Sequence, residues 1–333
     1  MIRIGVIGYG YWGANIVRNF NGIEGGKVVS ICDVNQEALK RAQRLFPGTE
    51  VTPDCREVAA SSGIDAIAVV TPVSTHFELA RLALLNGKHI FVEKPFTANV
   101  RQAEELLELA DKKGLLIMVD HTFLFTGAVR KIKEFIETDV LGKLYYFDSV
   151  RVNLGLFQHD VNVLWDLAPH DLAIMDHLVG GKARAIVATG ESHVNSLEDV
   201  AYVTVYLSDS MIAHFNVNWL SPVKVRTTLI GGDKKMLVWN DLDADEKIRI
   251  YDKGVEIKGT EGIYDLLVSY RSGDMWVPKV EQGEALKLES QYFVDCIESN
   301  TAPMNDGRAG LRVVKMLEAA DKSLKKKGEI VYL

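Results

Sequence analysis

The sequence predicts an α/β chain in two parts: a doubly wound parallel sheet, then an α+β domain with an open, mainly antiparallel sheet. Three observations carry that reading. Short apolar runs alternate with amphipathic stretches through about residue 120, and glycines follow the first apolar run directly. Beyond about residue 180, apolar runs succeed one another with connections too short for a helical crossover. At 333 residues the chain is long for one hydrophobic core. The expected division is 1–121 and 122–333, with the closing helices able to pack back on the first domain.

Residues 2–7, 28–32, 66–70, 89–92 and 115–119 are apolar on successive positions and rich in Val and Ile, as in parallel strands covered on both faces. Between them, 35–45, 75–86 and 99–113 read as helices. Asn35 and Asn99 can cap helix starts, and Gly87 and Gly114 follow helix ends. A helix over about 127–138 leads to a long strand, 143–154, and a helical block near 162–179. Strands follow at 183–190, 200–207, 211–220, 224–231, 235–239 and 247–251. Met211, Ala213, Phe215, Val217 and Trp219 alternate with Ile212, His214, Asn216 and Asn218, so one face is packed and the other partly polar. An open sheet face of that kind suits self-association. Residues 260–284 show little periodicity and read as a loop or arm; helices over 285–299 and 306–325 close the chain.

Composition excludes several classes. The chain is 47% hydrophobic and 25% charged with net charge -7, which offers no basic surface to nucleic acid or anionic lipid. No apolar stretch nears the roughly 18–20 residues a bilayer requires, and the first residues lack the pattern of a secretory leader. The three cysteines, Cys32, Cys55 and Cys296, are odd in number and widely separated, without zinc or disulfide spacing. The expected compartment is the cytoplasm.

Gly8-Tyr9-Gly10-Tyr11-Trp12-Gly13 spells G-x-G-x-x-G between an apolar strand and a helical segment. In that context the pattern marks a Rossmann fold. Gly8 permits the tight turn, Gly10 lets backbone approach a pyrophosphate, and Gly13 lets helix pack close to strand; the helix N-terminus then offers N–H groups to the phosphates. Asp33, twenty residues after Gly13, can accept hydrogen bonds from the adenosine ribose and repel a 2′-phosphate. Val34-Asn35-Gln36 follows, with no Arg or Lys, so the expected cofactor is NAD rather than NADP; a flavin is the weaker alternative. Tyr9, Tyr11 and Trp12 lie within the motif, where Tyr11 and Trp12 either flank the cofactor or pack.

In such a sheet, ligands sit beyond the carboxyl ends of the strands. Thr71-Pro72, with His76 shortly after, closes one strand; Glu93-Lys94-Pro95 closes the next. The proline restricts Lys94 to extended backbone, and the plain alternative is a salt-bridged turn. In the second domain, Asp166 and His170 are four apart on a helix and share a face. That spacing also suits metal, with His159, Asp160, Asp176 and His177 nearby. No third ligand falls at a recognised spacing, so no metal is expected. Joined to a dinucleotide domain and a strand-end lysine, the pair reads as an acid–base unit rather than a structural contact.

Taken together, GYGYWG at 8–13, TPVSTH at 71–76, EKP at 93–95 and D-x-x-x-H at 166–170 resemble the Gfo/Idh/MocA family along essentially the whole chain. The resemblance implies a Rossmann domain, a C-terminal open-sheet domain and assembly through that sheet as a homodimer or homotetramer. It implies Lys94, Asp166 and His170 as the catalytic set. It also implies that Thr71, Pro72, His76, Glu93 and Lys94 lie towards the ribose and nicotinamide. The segment at 150–171 is similar to members acting on nucleotide sugars, including those that oxidise carbon 3 of UDP-N-acetylglucosamine or its uronate. Val163-Leu164-Trp165 departs from the glycines that often precede the Asp.

The expected reaction is reversible oxidation of a secondary sugar hydroxyl. An imidazole ordinarily titrates near pH 6.5, which suits His170 as base. Lys94 would bond the reacting oxygen and Asp166 would orient; Lys94 and His170 could exchange roles. His121, Asn153, His159, Asp160, Asn162 and Trp165 are candidate substrate contacts. Inositol or free-sugar dehydrogenases and keto-sugar reductases remain open alternatives. A ligand-sensing regulator on the same fold is disfavoured by the intact Lys94, Asp166 and His170.

Overall fold

The structure, a computed structural model, describes residues 1–155, 157–158, 160–180, 183–260 and 266–333. The chain divides into two compact units, Met1–Phe125 with Gly283–Glu318 and Thr126–Gln282 with Ala319–Leu333.

In the first unit the elements run β1 (Ile2–Ile7), α1 (Tyr11–Phe20), β2 (Gly26–Cys32), α2 (Gln36–Leu45), β3 (Glu50–Thr52), α3 (Cys55–Ala60), β4 (Ala66–Val69), α4 (Val73–Leu85), β5 (His89–Glu93), α5 (Val100–Lys113) and β6 (Ile117–Asp120). Their strands form a sheet in the order β3-β2-β1-β4-β5-β6, every pair parallel. Because the chain winds one way from β1 to β3 and returns to β4 on the other side, the order reverses between β1 and β4. Ligands bind beyond that switch point. Asn35 caps α2 by accepting from the Glu37 and Ala38 amides, and Asn99 caps α5 by accepting from Gln102. β3 and α3, of three and six residues, are absent from the sequence reading because neither is long enough to show a period.

The second unit carries α6 (Gly127–Glu137), β7 (Leu144–Leu154), α7 (Val163–Val179), β8 (Ala183–Glu191), β9 (Val200–Leu207), β10 (Ile212–Asn218), β11 (Leu220–Gly232), β12 (Met236–Asn240), β13 (Ile248–Thr260) and β14 (Leu266–Trp276). The alternation through β10 is realised: Ala213, Phe215 and Val217 are buried while Ile212 and His214 are exposed. β7 and β10 pair parallel, so the sheet is mixed, though the other printed pairings in it are antiparallel. The loop expected over 260–284 is corrected by β14, which pairs with β13.

Two helices, α8 (Ala285–Ser299) and α9 (Gly307–Lys325), follow; α8 and the first part of α9 belong to the first unit. Phe20, Phe91 and Phe293 meet edge to face at centroid distances of 5.4–6.1 Å, tying α1, β5 and α8 into one core. β15 (Val331–Tyr332) pairs with β8 and completes the sheet order β14-β13-β12-β11-β7-β10-β9-β8-β15. Among the described residues, no helix is long and apolar enough to cross a membrane.

Candidate active site

A cavity of about 500 Å³ opens at the carboxyl ends of β1 and β4, lined by Gly8, Gly10, Asp33, Cys55, Thr71 and Pro72 among others. Gly8 adopts φ +99°, and a Cβ there would stand 2.2 Å from the Val70 carbonyl oxygen, so only glycine makes this turn. A Cβ on Gly13 would stand 2.1 Å from the Gly8 oxygen, which is how α1 packs against the turn. At Gly10, by contrast, a Cβ would meet nothing within 4 Å. The backbone there borders open space, and Gly10 caps α1 without a side-chain hydrogen bond to its leading amides.

Asp33 is held at this cavity by two backbone donors: the Tyr9 amide to Oδ2 at 2.6 Å and the Asn35 amide to Oδ1 at 2.8 Å. A carboxylate oxygen has two acceptor positions, so each retains capacity for a ribose hydroxyl. Tyr9 itself is buried and contributes backbone; its carbonyl accepts from Arg41 at 2.9 Å. Tyr11 and Trp12 are 81% and 51% exposed, and their rings meet edge to face at a centroid distance of 5.5 Å. An open cradle over Gly10 and a fixed carboxylate match the pyrophosphate and ribose of NAD, so these residues suit that cofactor.

The two strand ends are tied together by His76. Its buried ring lies between the Thr71 carbonyl, 2.8 Å from Nε2, and the Pro95 carbonyl, 3.0 Å from Nδ1. Burial lowers its pKa, so the neutral ring is favoured. His76, expected towards the ribose, instead turns both nitrogens to backbone carbonyls, and the neutral ring donates to one of the two at a time. The Lys94–Pro95 peptide is cis. Lys94 is half-buried, and its amide donates to Glu93 Oε2 at 2.9 Å.

Beneath it, Glu93, Asp120 and Glu289 are buried, and burial raises the pKa of each; Asp120 raises those of Glu93 and Glu289 further, while Lys94 opposes the shift at Glu93. Glu93 and Asp120 end neighbouring strands in register, and Asn305 donates to Glu289 Oε1 at 2.9 Å. His121 is buried too, and burial, with Lys94 adding, pushes its pKa down to about 3. It is a neutral ring near the lysine.

In the second unit, α7 carries the other candidates. Asn162, expected to touch substrate, is the cap of α7: its Oδ1 accepts from the Trp165 amide at 3.2 Å and its Nδ2 donates to Glu198 at 2.8 Å. Trp165, Asp166 and His170 are half-buried along the helix. Trp219 Nε1 donates to Asp166 Oδ2 at 3.1 Å. One turn on, Arg151 of β7 grips Asp171 with two bonds, 2.6 Å and 3.0 Å, both side chains buried. Burial works against the Arg151 cation, but Asp171, with Asp241 and Asp166 adding, raises its pKa above the ordinary value. Asn153 is half-buried near Gly155 and Trp219. Asp160 is exposed, and His159 lies outside the described residues. Among the described residues, no group of three or more His, Cys, Asp or Glu could hold a metal ion.

Trp219, Arg151, Asp120 and Glu289 escape sequence reasoning. Trp219 falls on the apolar face of an alternating strand and reads as core; only its indole N–H reveals a second duty.

Two family models match the chain between residues 2 and 238. Residues 2–121 match one described as an oxidoreductase family with an NAD-binding Rossmann fold, and residues 129–238 match the GFO/IDH/MocA C-terminal domain. The chain belongs to the Gfo/Idh/MocA family. This oxidoreductase is 26% identical over 327 residues to UDP-N-acetylglucosamine 3-dehydrogenase of Acidithiobacillus ferrooxidans, covering 94% of each chain. The solved structure of the Acidithiobacillus ferrooxidans enzyme superposes with a TM-score of 0.81 at 23% identity, covering 98% of both chains. Scyllo-inositol dehydrogenase from Lactobacillus casei, solved with NAD(H) and scyllo-inositol, gives a TM-score of 0.81 at 19% identity over 100% of this chain and 99% of that one. The first unit of the oxidoreductase is thus an NAD-binding Rossmann domain.

Proposed function

We propose that this oxidoreductase uses NAD to oxidise carbon 3 of a nucleotide sugar such as UDP-N-acetylglucosamine or its uronate. The observation that carries the reading is α7: it presents Asp166 and His170 one turn apart, with Asp166 fixed by the Trp219 indole, in a chain that also holds an NAD cradle. The relative acting on UDP-N-acetylglucosamine, similar over 94% of each chain, supports the substrate class.

When bound, NAD supplies a hydride acceptor. Asp33 accepts from the ribose hydroxyls, and the first-turn amides of α1 face the pyrophosphate, with Tyr11 and Trp12 flanking it. Thr71 and Pro72 shape the cavity wall towards the nicotinamide half, held by His76. Lys94 stabilises negative charge developing on the reacting oxygen, and His170 accepts the hydroxyl proton. Asp166, with one oxygen engaged by Trp219, orients that chemistry; Trp165 and Asn153 contact the sugar. The open sheet face, where Tyr202, Tyr206 and Ile212 are exposed, supports self-association.

The test is a panel of UDP-N-acetylglucosamine, its uronate, free sugars and inositols, each added with NAD. A ligand at 100 times its dissociation constant adds about 2.7 kcal/mol of stability. The reading expects a UDP-sugar to raise the melting temperature most and to yield NADH. Response to inositols alone would replace the substrate class.

A further inference from the structure

The geometry points to a subsite on the sheet beside α7 that takes the primary hydroxyl of a neutral sugar and turns away a carboxylate at that position. The inference rests on the sugar reading above and deepens it. The recess lies wholly within the second unit, between β7, β11, β12 and α7. Ser149, Arg151, Thr228 and Trp239 form its buried floor. Arg226 and Asp241 form the rim, with side chains 32% and 18% exposed, so the recess reaches solvent there. Asp171, the residue after His170, closes it from α7.

Three observations select the occupant. First, the Trp239 indole N–H is buried and donates to nothing among the described residues. A buried donor left so is destabilising, and an incoming acceptor relieves it. Second, the charges balance. Arg151 is spent on Asp171 in a two-pronged bond, and Arg226 stands 3.5 Å from Asp241. Two guanidiniums against two carboxylates leave no surplus cation to attract an anion. A carboxylate would instead face Asp171 and Asp241, with no hydrogen to offer either. A hydroxyl accepts from the indole and donates to a carboxylate at once. Third, the recess is wide enough for one small polar group only. The recess holds about 10 Å³, and an exocyclic CH2OH, which projects its oxygen one carbon beyond the ring, suits so small a space better than a hydroxyl fixed on the ring. UDP-N-acetylglucosamine and its uronate differ at that carbon, so the recess chooses between them.

Titrations of the NAD-loaded chain with UDP-N-acetylglucosamine, its 6-deoxy analogue and its uronate test the subsite, in the wild type, Trp239→Phe and Asp241→Asn. D-glucose, 6-deoxy-D-glucose and D-glucuronate are run in parallel. The expected wild-type result is about tenfold weaker binding of the 6-deoxy compound, as for one lost hydrogen bond in a buried site, and weaker binding still of the uronate. Trp239→Phe should weaken the hydroxymethyl sugar about tenfold and leave the 6-deoxy compound unchanged. Asp241→Asn should shift the preference towards the uronate, a charge-dependent change that loss of packing does not produce. Equal losses on both compounds in Trp239→Phe, or a wild-type preference for the uronate, would overturn the subsite while leaving sugar oxidation standing. Discrimination within the glucose series alone would keep the subsite and remove the nucleotide from the substrate. Binding of neither series would overturn both.

Discussion

Beneath Lys94 the first unit buries three carboxyls, Glu93, Asp120 and Glu289, held by one another, by Thr122 and by Asn305. Beneath Asp166 and His170 the second unit buries Asp171 in a two-pronged bond with Arg151. Both regions take acidic groups out of water, and they neutralise them differently. In the first, burial raises all three pKa values and Asp120 raises those of Glu93 and Glu289 further, which favours the protonated forms. In the second, the acidic group is paired with a buried guanidinium, whose pKa the pairing raises. A carboxyl chain can therefore change its charge state next to the lysine, while the ion pair fixes the helix that carries the histidine. The two regions should answer to different perturbations: pH for one, loss of a partner for the other.

The largest expected effect comes from breaking the pair. Asp171→Ala leaves the Arg151 cation buried without its carboxylate and should cost about 3–5 kcal/mol in denaturant unfolding. Replacing both residues, as Arg151→Met with Asp171→Leu, should recover most of that loss. A single-variant cost below about 1 kcal/mol would show that the pair does not hold α7. Next is Trp219→Phe, which keeps an aromatic ring and removes the donor to Asp166. A hydrogen bond to a charged group contributes about 1.5–3 kcal/mol, so kcat/KM should fall about tenfold or more. Trp219→Phe should leave the melting temperature within a few degrees of the wild type, so the loss falls on turnover rather than on folding. An unchanged kcat/KM would leave Trp219 a packing residue.

The smallest effect sharpens the contrast. The folded pKa of Glu289 is raised, so its contribution to stability is fully present below the unfolded value, about 4.3. That contribution is lost as pH rises from there through the folded value. Glu289→Gln cannot ionise, so its melting temperature should fall less than that of the wild type between pH 6 and 9. Parallel curves would mean that Glu289 is already ionised in the fold across that range, as it is in the unfolded chain.

How far each region is legible in sequence follows from the range of the interactions. The glycine turn at 8–13, the caps at Asn35 and Asn99 and the alternation along β10 are local and could be read directly. β14 could not: residues 270–275 are exposed apart from a half-buried Arg271, so no buried face imposes an alternation, and pairing with β13 defines the strand. The carboxyl chain joins residues 93, 120 and 289, and the ion pair joins 151 to 171. Nothing in the local pattern announces either. His76 and Asn162 were legible as polar residues near a site, but their partners, backbone carbonyls and a helix end, emerge only from the fold.

The measurement that bears most directly on the account follows NADH at 340 nm with UDP-N-acetylglucosamine, in the wild type, Lys94→Ala and His170→Ala, with NAD affinity determined separately for each protein. General acid–base groups contribute about 10²–10⁴-fold, so each variant should lose at least about 10² in turnover while His170→Ala still binds NAD as the wild type does. Near-normal turnover in both variants would contradict the account.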